Sequence, residues 1–98
     1  MRDLRFEWDE AKNAANKKKH RVSFEEARSV FYDERALLTE DPDDSHGEDR
    51  FLLLGLSATL RTLVVCHGYR RRDSVIRIIS ARRADHTERA TYERRWKR

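Results

Sequence analysis

The chain carries one cysteine, one proline and three glycines, and no apolar run approaches the roughly 20 residues needed to cross a bilayer. A lone Cys66 excludes an intramolecular disulfide framework and a Cys-rich zinc site, which need thiols in pairs or fours, and it suits a reducing compartment. Pro42 and the few glycines leave no long linker, and no internal period of roughly 20 to 50 residues repeats. The 98 residues are therefore expected to form one domain over 1–98. Met1 to Trp8 is charged and lacks a signal peptide's apolar core, so a cytoplasmic location is expected. Also missing are a Gly-rich phosphate loop, a GxSxG elbow and any specific Cys–His arrangement. The histidines, His20, His46, His67 and His86, stand far apart, without the paired spacing of a zinc site. Asp41 and Asp43 begin like a calcium loop, but His46 and Leu52 stand where that loop needs Gly and Glu. No metal and no cofactor are expected.

Charge is what the chain has in abundance: 41% of its residues, against 38% hydrophobic, with a formal net charge of +4. So thin a core demands amphipathic helices and a charged surface. Of the 22 basic residues 17 are Arg and 5 are Lys, a bias toward planar, bidentate recognition of phosphate or carboxylate. Placement sharpens this. Residues 66–98 hold 11 basic and 4 acidic residues, a balance of +7, whereas residues 1–65 hold 11 and 14, or −3. Six acids fall between Glu40 and Asp49 with no Lys or Arg among them. An anionic partner facing the C-terminal third is the first expectation.

Leu4, Phe6 and Trp8 alternate with charged residues as a half-buried strand does. Asp9 can cap a helix from Glu10 to about His20, with Ala11, Ala14 and Ala15 as its apolar stripe and cations from Lys17 to His20 at the negative end of its dipole. Ser23 to Glu26 spells a capping box, with Val22 stapled to Ala27 and a second helix predicted through Phe31. A possible short strand at Leu37 to Thr39 and the acidic loop follow. Then come three apolar runs, Phe51 to Leu56, Leu60 to Cys66 and Val75 to Ile79, read as neighbouring antiparallel strands. Asp85 to Glu88 offers another capping box, opening a helix on which Glu88, Tyr92 and Trp96 share a face. The predicted fold class is α+β, a small antiparallel sheet with helices packed on one face.

In the last strand, alternation puts Ile76, Ile78 and Ser80 on one face and Val75, Arg77, Ile79 and Ala81 on the other. Arg77 interrupts an apolar run, so it needs either a carboxylate partner or an open, ligand-binding face. On the second reading Arg82, Arg83 and the turn residues Arg70, Arg71 and Arg72 extend one cationic surface suited to a polyphosphate backbone. His67, read as a strand-end residue facing with Leu63 and Val65, can lie near Arg77. Guanidinium groups there would keep it neutral and make it a candidate general base; the alternative is an imidazole hydrogen-bonded to a loop. His20 is read as serving its helix C-terminus. Tyr92 and Trp96 are read as the core stripe of the last helix, with base stacking as the alternative, and Trp8 as a core or lid aromatic.

Phe6-Glu7-Trp8-Asp9, Lys12, Asn16, Lys19-His20, Val22 to Ala27, Val30-Phe31 and Asp33 together resemble the N-terminal half of the BrnT toxin family. Ile76 to Ala84, followed by Glu88 and Tyr92, resembles its C-terminal half, so the resemblance spans nearly the whole chain. It implies a RelE-like ribonuclease fold, a toxin of a type II toxin-antitoxin pair that cleaves RNA, and no metal cofactor. It also implies a partner, a BrnA-like ribbon-helix-helix antitoxin through which the toxin reaches operator DNA. By position it nominates Arg77, Ser80, Arg82, Arg83, Glu88 and Tyr92 for the active surface. Arg61 matches a family Arg opening the preceding strand, and His67 a position often His. Two departures stand out: Arg21 where the family usually has Gly, and a Tyr69-Arg70-Arg71-Arg72 turn more basic than usual.

The expected activity is a metal-independent endoribonuclease acting on single-stranded RNA, mRNA in particular, and inhibiting translation. Arg77, Arg82 and Arg83 would hold the scissile phosphate, and His67 or Glu88 would move protons as the ribose 2'-OH attacks it. The alternative is a non-catalytic RNA- or protein-binding module acting as a corepressor subunit, marked by salt-sensitive binding without cleavage.

Overall fold

The protein is seen in a computed structural model that describes residues 4–42, 49–70, 72 and 74–95. The chain runs through β1 (Arg5–Glu7), α1 (Glu10–His20), α2 (Phe24–Ser29) with a 3-10 turn (Val30–Tyr32), β2 (Leu37–Glu40), β3 (Phe51–Leu56), β4 (Thr62–Arg70), β5 (Val75–Arg83) and α3 (His86–Arg94). One five-stranded sheet has the order β1-β5-β4-β3-β2. Its consecutive strands β2 to β5 pair antiparallel, as alternation and short connections predict. β1 joins the outer edge of β5 in parallel, a long-range pairing that local alternation does not encode. The core lies between α2 with its 3-10 turn and one sheet face: Val22, Phe24, Ala27 and Val30 against Leu53, Leu63, Val65, Ile76, Ile78 and Ala81. Gly55 permits this closeness, since a Cβ there would lie 2.8 Å from Val30 Cγ1.

Each helix starts where its cap was predicted. Asp9 accepts from the amides of Ala11 and Lys12, Ser23 from that of Glu26, and Asp85 and Glu88 complete a reciprocal box. The Ser23 box is only half made, because the Glu26 carboxylate turns to Arg61, Ser57 and Thr59. The Trp8 ring meets Phe24 edge-on, a core-flanking aromatic.

Two expectations about faces are corrected. On α1 the alanines are exposed, and the buried side chains are Asn13 and Asn16. Asn13 accepts from Phe24 N at 2.8 Å; Asn16 donates to the carbonyls of Val22 and Ala81 and accepts from Ala81 N. A carboxamide thus continues the sheet where β1 ends, so burial here follows hydrogen-bond need more than apolarity. On β5 the register slips: His67 pairs with Ile78 but Cys66 with Ser80, which leaves Ile79 as a bulge residue. Ala81 therefore joins Ile76 and Ile78 in the core, and Ser80 moves to the face of Arg77, the reverse of simple alternation.

Candidate functional site

Because of the bulge, Arg77, Ser80 and Arg82 of β5 share the sheet face away from α2, opposite Gly68, Cys66 and Val64 of β4. Arg77 Nη1 lies 3.1 Å from Glu7 Oε2 across the parallel β1–β5 pair, and Arg70 Nε lies 3.2 Å from the same oxygen. Arg77 thus has an edge acid as its partner, and it stays partly exposed on a face with further cations. Arg82 grips Glu88 with two bonds, 2.8 and 2.9 Å, and reaches the Arg83 carbonyl. Ser80 is exposed beside it.

Two hollows open on this face. The larger is lined by Lys12, Asp49, Arg50, Gly68, Arg70 and Arg77 among others, the smaller by His20, Asp41, Arg50, Cys66, Ser80 and Arg82 among others. Arg50 belongs to both, so the cations form one continuous band across the sheet. Its Nε is buried and has no hydrogen-bond partner among the described residues. Burial, with Asp41 beside it, pushes the Cys66 thiol up to about 11, so it remains a protonated wall group.

Several sequence-nominated residues lie elsewhere. His67 is fully buried inside β4 and packs against Phe31 at 4.8 Å and Tyr69 at 5.3 Å between ring centroids. Its Nδ1 donates to the Val65 carbonyl at 3.2 Å, and Nε2 accepts from the Tyr69 hydroxyl at 3.3 Å. Burial holds its pKa below the usual histidine value, but it faces the core while Arg77 faces away. The strand-end general base is thereby corrected to a neutral, enclosed core histidine. Glu88 is engaged by Arg82. The hydrogen bonds from Arg82, set against partial burial and aided by the Asp85 amide, hold its carboxyl below the usual range.

Arg61 is occupied structurally: its guanidinium clasps Glu26 and donates to the Arg21 carbonyl at 2.9 Å. Tyr92 is buried and its hydroxyl donates to Asp33, which fits the core-stripe reading and removes it from the RNA-binding set. Arg83 is exposed but registers with Leu63, on the face opposite Arg82, so it does not extend the same surface. Arg72 is exposed with a left-handed φ of 59° in the β4–β5 turn. Arg71, Trp96, Asp43 and His46 lie outside the described residues.

Sequence pattern gives Arg50 no role, marks His20 as a helix-end cation, and brings in Lys12 and His20 otherwise only through the family resemblance. Lys12 and His20 lie eight positions apart on α1, about two turns, a spacing that puts both on one side of the helix. Arg50 directly follows the acidic stretch Glu40 to Asp49 and precedes the apolar run from Phe51, and neither pattern singles it out. No helix is long and apolar enough to cross a membrane among the described residues.

No curated protein matches the chain. A crystal structure of the Brucella abortus ribonuclease toxin BrnT superposes with a TM-score of 0.65 at 21% identity, over 86% of this chain and 100% of the other, a likeness of fold. A family model described as the ribonuclease toxin BrnT of type II toxin-antitoxin systems matches residues 8–88, so the chain belongs to the BrnT family of ribonuclease toxins.

Proposed function

We propose that the chain is an endoribonuclease that cleaves single-stranded RNA, chiefly mRNA, in the cytoplasm without a metal ion, and inhibits translation until a BrnA-like ribbon-helix-helix antitoxin covers it. The observation that supports this reading is the band of Arg70, Arg77, Arg50, Ser80 and Arg82 on one half-exposed sheet face. A guanidinium aimed by a carboxylate keeps further N–H groups for phosphate oxygens and stabilises the charge that develops on them. The ribose 2'-OH supplies the nucleophile, so RNA is the substrate class and a 2',3'-cyclic phosphate the product. Acidic segments complement such a face, which suits an antitoxin that masks the site and carries the pair to operator DNA.

The test is incubation of the purified chain with single-stranded RNA in EDTA. Undiminished cleavage is expected, with Arg77→Ala slower by about 100-fold at an unchanged melting temperature. Activity lost in EDTA would reject the metal-free reaction. RNA bound but never cut would leave the non-catalytic binding module.

A further inference from the structure

Arg50 is the cation whose situation the fold does not explain. Arg61, Arg70, Arg77 and Arg82 each meet a carboxylate, whereas Arg50 Nε is buried and unpartnered among the described residues at the junction of two hollows. An unsatisfied buried donor on a charged group is costly, and an oxyanion delivered from outside would relieve that cost. The smaller hollow, about 270 Å³, is lined by Arg50 together with the exposed Ser80, Arg82 and His20, and by Asp41, whose carboxylate accepts from the Cys66 thiol.

His20 is there for a structural reason. Asn16 clasps both backbone groups of Ala81, which fixes the roll of α1 against β5. His20 follows Asn16 by four residues, hence lies on the same helix face one turn on, above Ser80 and Arg82. It is partly exposed, unlike His67.

We propose that Arg50, Ser80 and Arg82 bind the scissile phosphodiester of RNA in this hollow and that His20 takes the proton of the ribose 2'-hydroxyl. The assignment rests on the ribonuclease reading above and supplies the proton-transfer group which His67 does not. As the O2'–P bond forms, the 2'-hydroxyl proton passes to a ring nitrogen of His20. The P–O5' bond breaks with its electron pair going to O5', which takes a proton from solvent. Arg50 and Arg82 stabilise the phosphorane oxygens. The Cys66 thiol, held protonated, adds no competing charge.

The experiment compares the wild-type chain with Arg50→Ala, Arg50→Lys and His20→Asn. Single-turnover cleavage of a short RNA is measured alongside anisotropy binding of the same oligonucleotide with 2'-deoxyribose throughout, which cannot react, and circular dichroism monitors folding. Arg50→Ala should weaken binding about tenfold and cleavage at least 100-fold, with Arg50→Lys recovering part of each. His20→Asn should lower cleavage about 100-fold and leave binding within twofold. If Arg50→Ala unfolds, the partial loss in Arg50→Lys carries the same information. A wild-type chain that binds the deoxy oligonucleotide through Arg50 but cuts no RNA would sink the ribonuclease reading and the role of His20, yet keep the phosphate site. Cleavage within threefold of wild type in both His20→Asn and Arg50→Ala, or binding indifferent to Arg50, overturns the proposal.

Discussion

Arg21 shows how a single residue can carry strain for its neighbours. It ends α1 in the left-handed region, φ 60° and ψ 32°, with its N–H donating to the Lys17 carbonyl and its own carbonyl accepting from Arg61. A side chain in that conformation costs about 1–2 kcal/mol relative to glycine, partly offset by glycine's greater freedom when unfolded. Both hydrogen bonds use only backbone atoms of Arg21, so glycine would keep them. Arg21→Gly is therefore expected to stabilise the chain by about 0.5–1 kcal/mol, read as a higher denaturant midpoint at unchanged slope. A lower midpoint would mean that the Arg21 side chain itself stabilises the turn.

At the scale of elements, the bulge in β5 decides which side chains face away from the core. The pairs His67–Ile78 and Cys66–Ser80 both survive if Ile79 is removed, because the remaining residues then alternate regularly against β4. Deleting Ile79 should thus leave a chain that unfolds cooperatively, with Ala81 still in the core and Ser80 and Arg82 still facing away. Deleting Val64 from β4, which has no spare residue, should abolish the cooperative transition. A chain that fails to fold without Ile79 would show that the bend of the bulge is needed, beyond its register. The network of Glu26 with Arg61, Ser57 and Thr59 serves a comparable purpose, tying α2 to the β3–β4 connection and holding Glu26 down to about 2.

Across the whole molecule, the shifted groups set a dome of stability against pH. His67 has a folded pKa below its ordinary 6.5, so the unfolded chain takes up the proton first and stability begins to fall below that pH. Glu26, with Arg61 as the main cause, adds stability that is complete above 4.5 and lost as pH falls toward about 2; Glu25 and Glu88 act in the same sense. Cys66, raised from 9.0 to about 11, favours the folded state below 9 and gives that up as pH rises between the two values. Urea midpoints should therefore be highest between about pH 7 and 9 and fall in steps on the acid side. A midpoint unchanged from pH 7.5 to 5.5 would contradict a buried neutral His67, and His67→Phe should flatten that step.

Caps and strands were legible because they depend on neighbours in sequence. Asp9, Ser23 and Asp85 satisfy amides two or three residues away, and Phe51 to Leu56 or Val75 onward are apolar runs that only a sheet could bury. The family resemblance, likewise carried by residue order, survives in the match over residues 8–88. The site was only half legible. Arg77, Ser80 and Arg82 stood out by type, but alternation alone would have put Ser80 and Arg82 on the wrong side, since a bulge is a property of two paired strands. Burial of Asn13 and Asn16 was hidden because their partners are backbone groups up to 65 residues away. The sequence by itself determined the elements, the excess of arginine and the family; tertiary packing decided that His67 is enclosed and that Arg50 and His20 line one hollow with Arg82. Faces and encounters depend on long-range hydrogen bonds and register, and no local pattern of residue types encodes those.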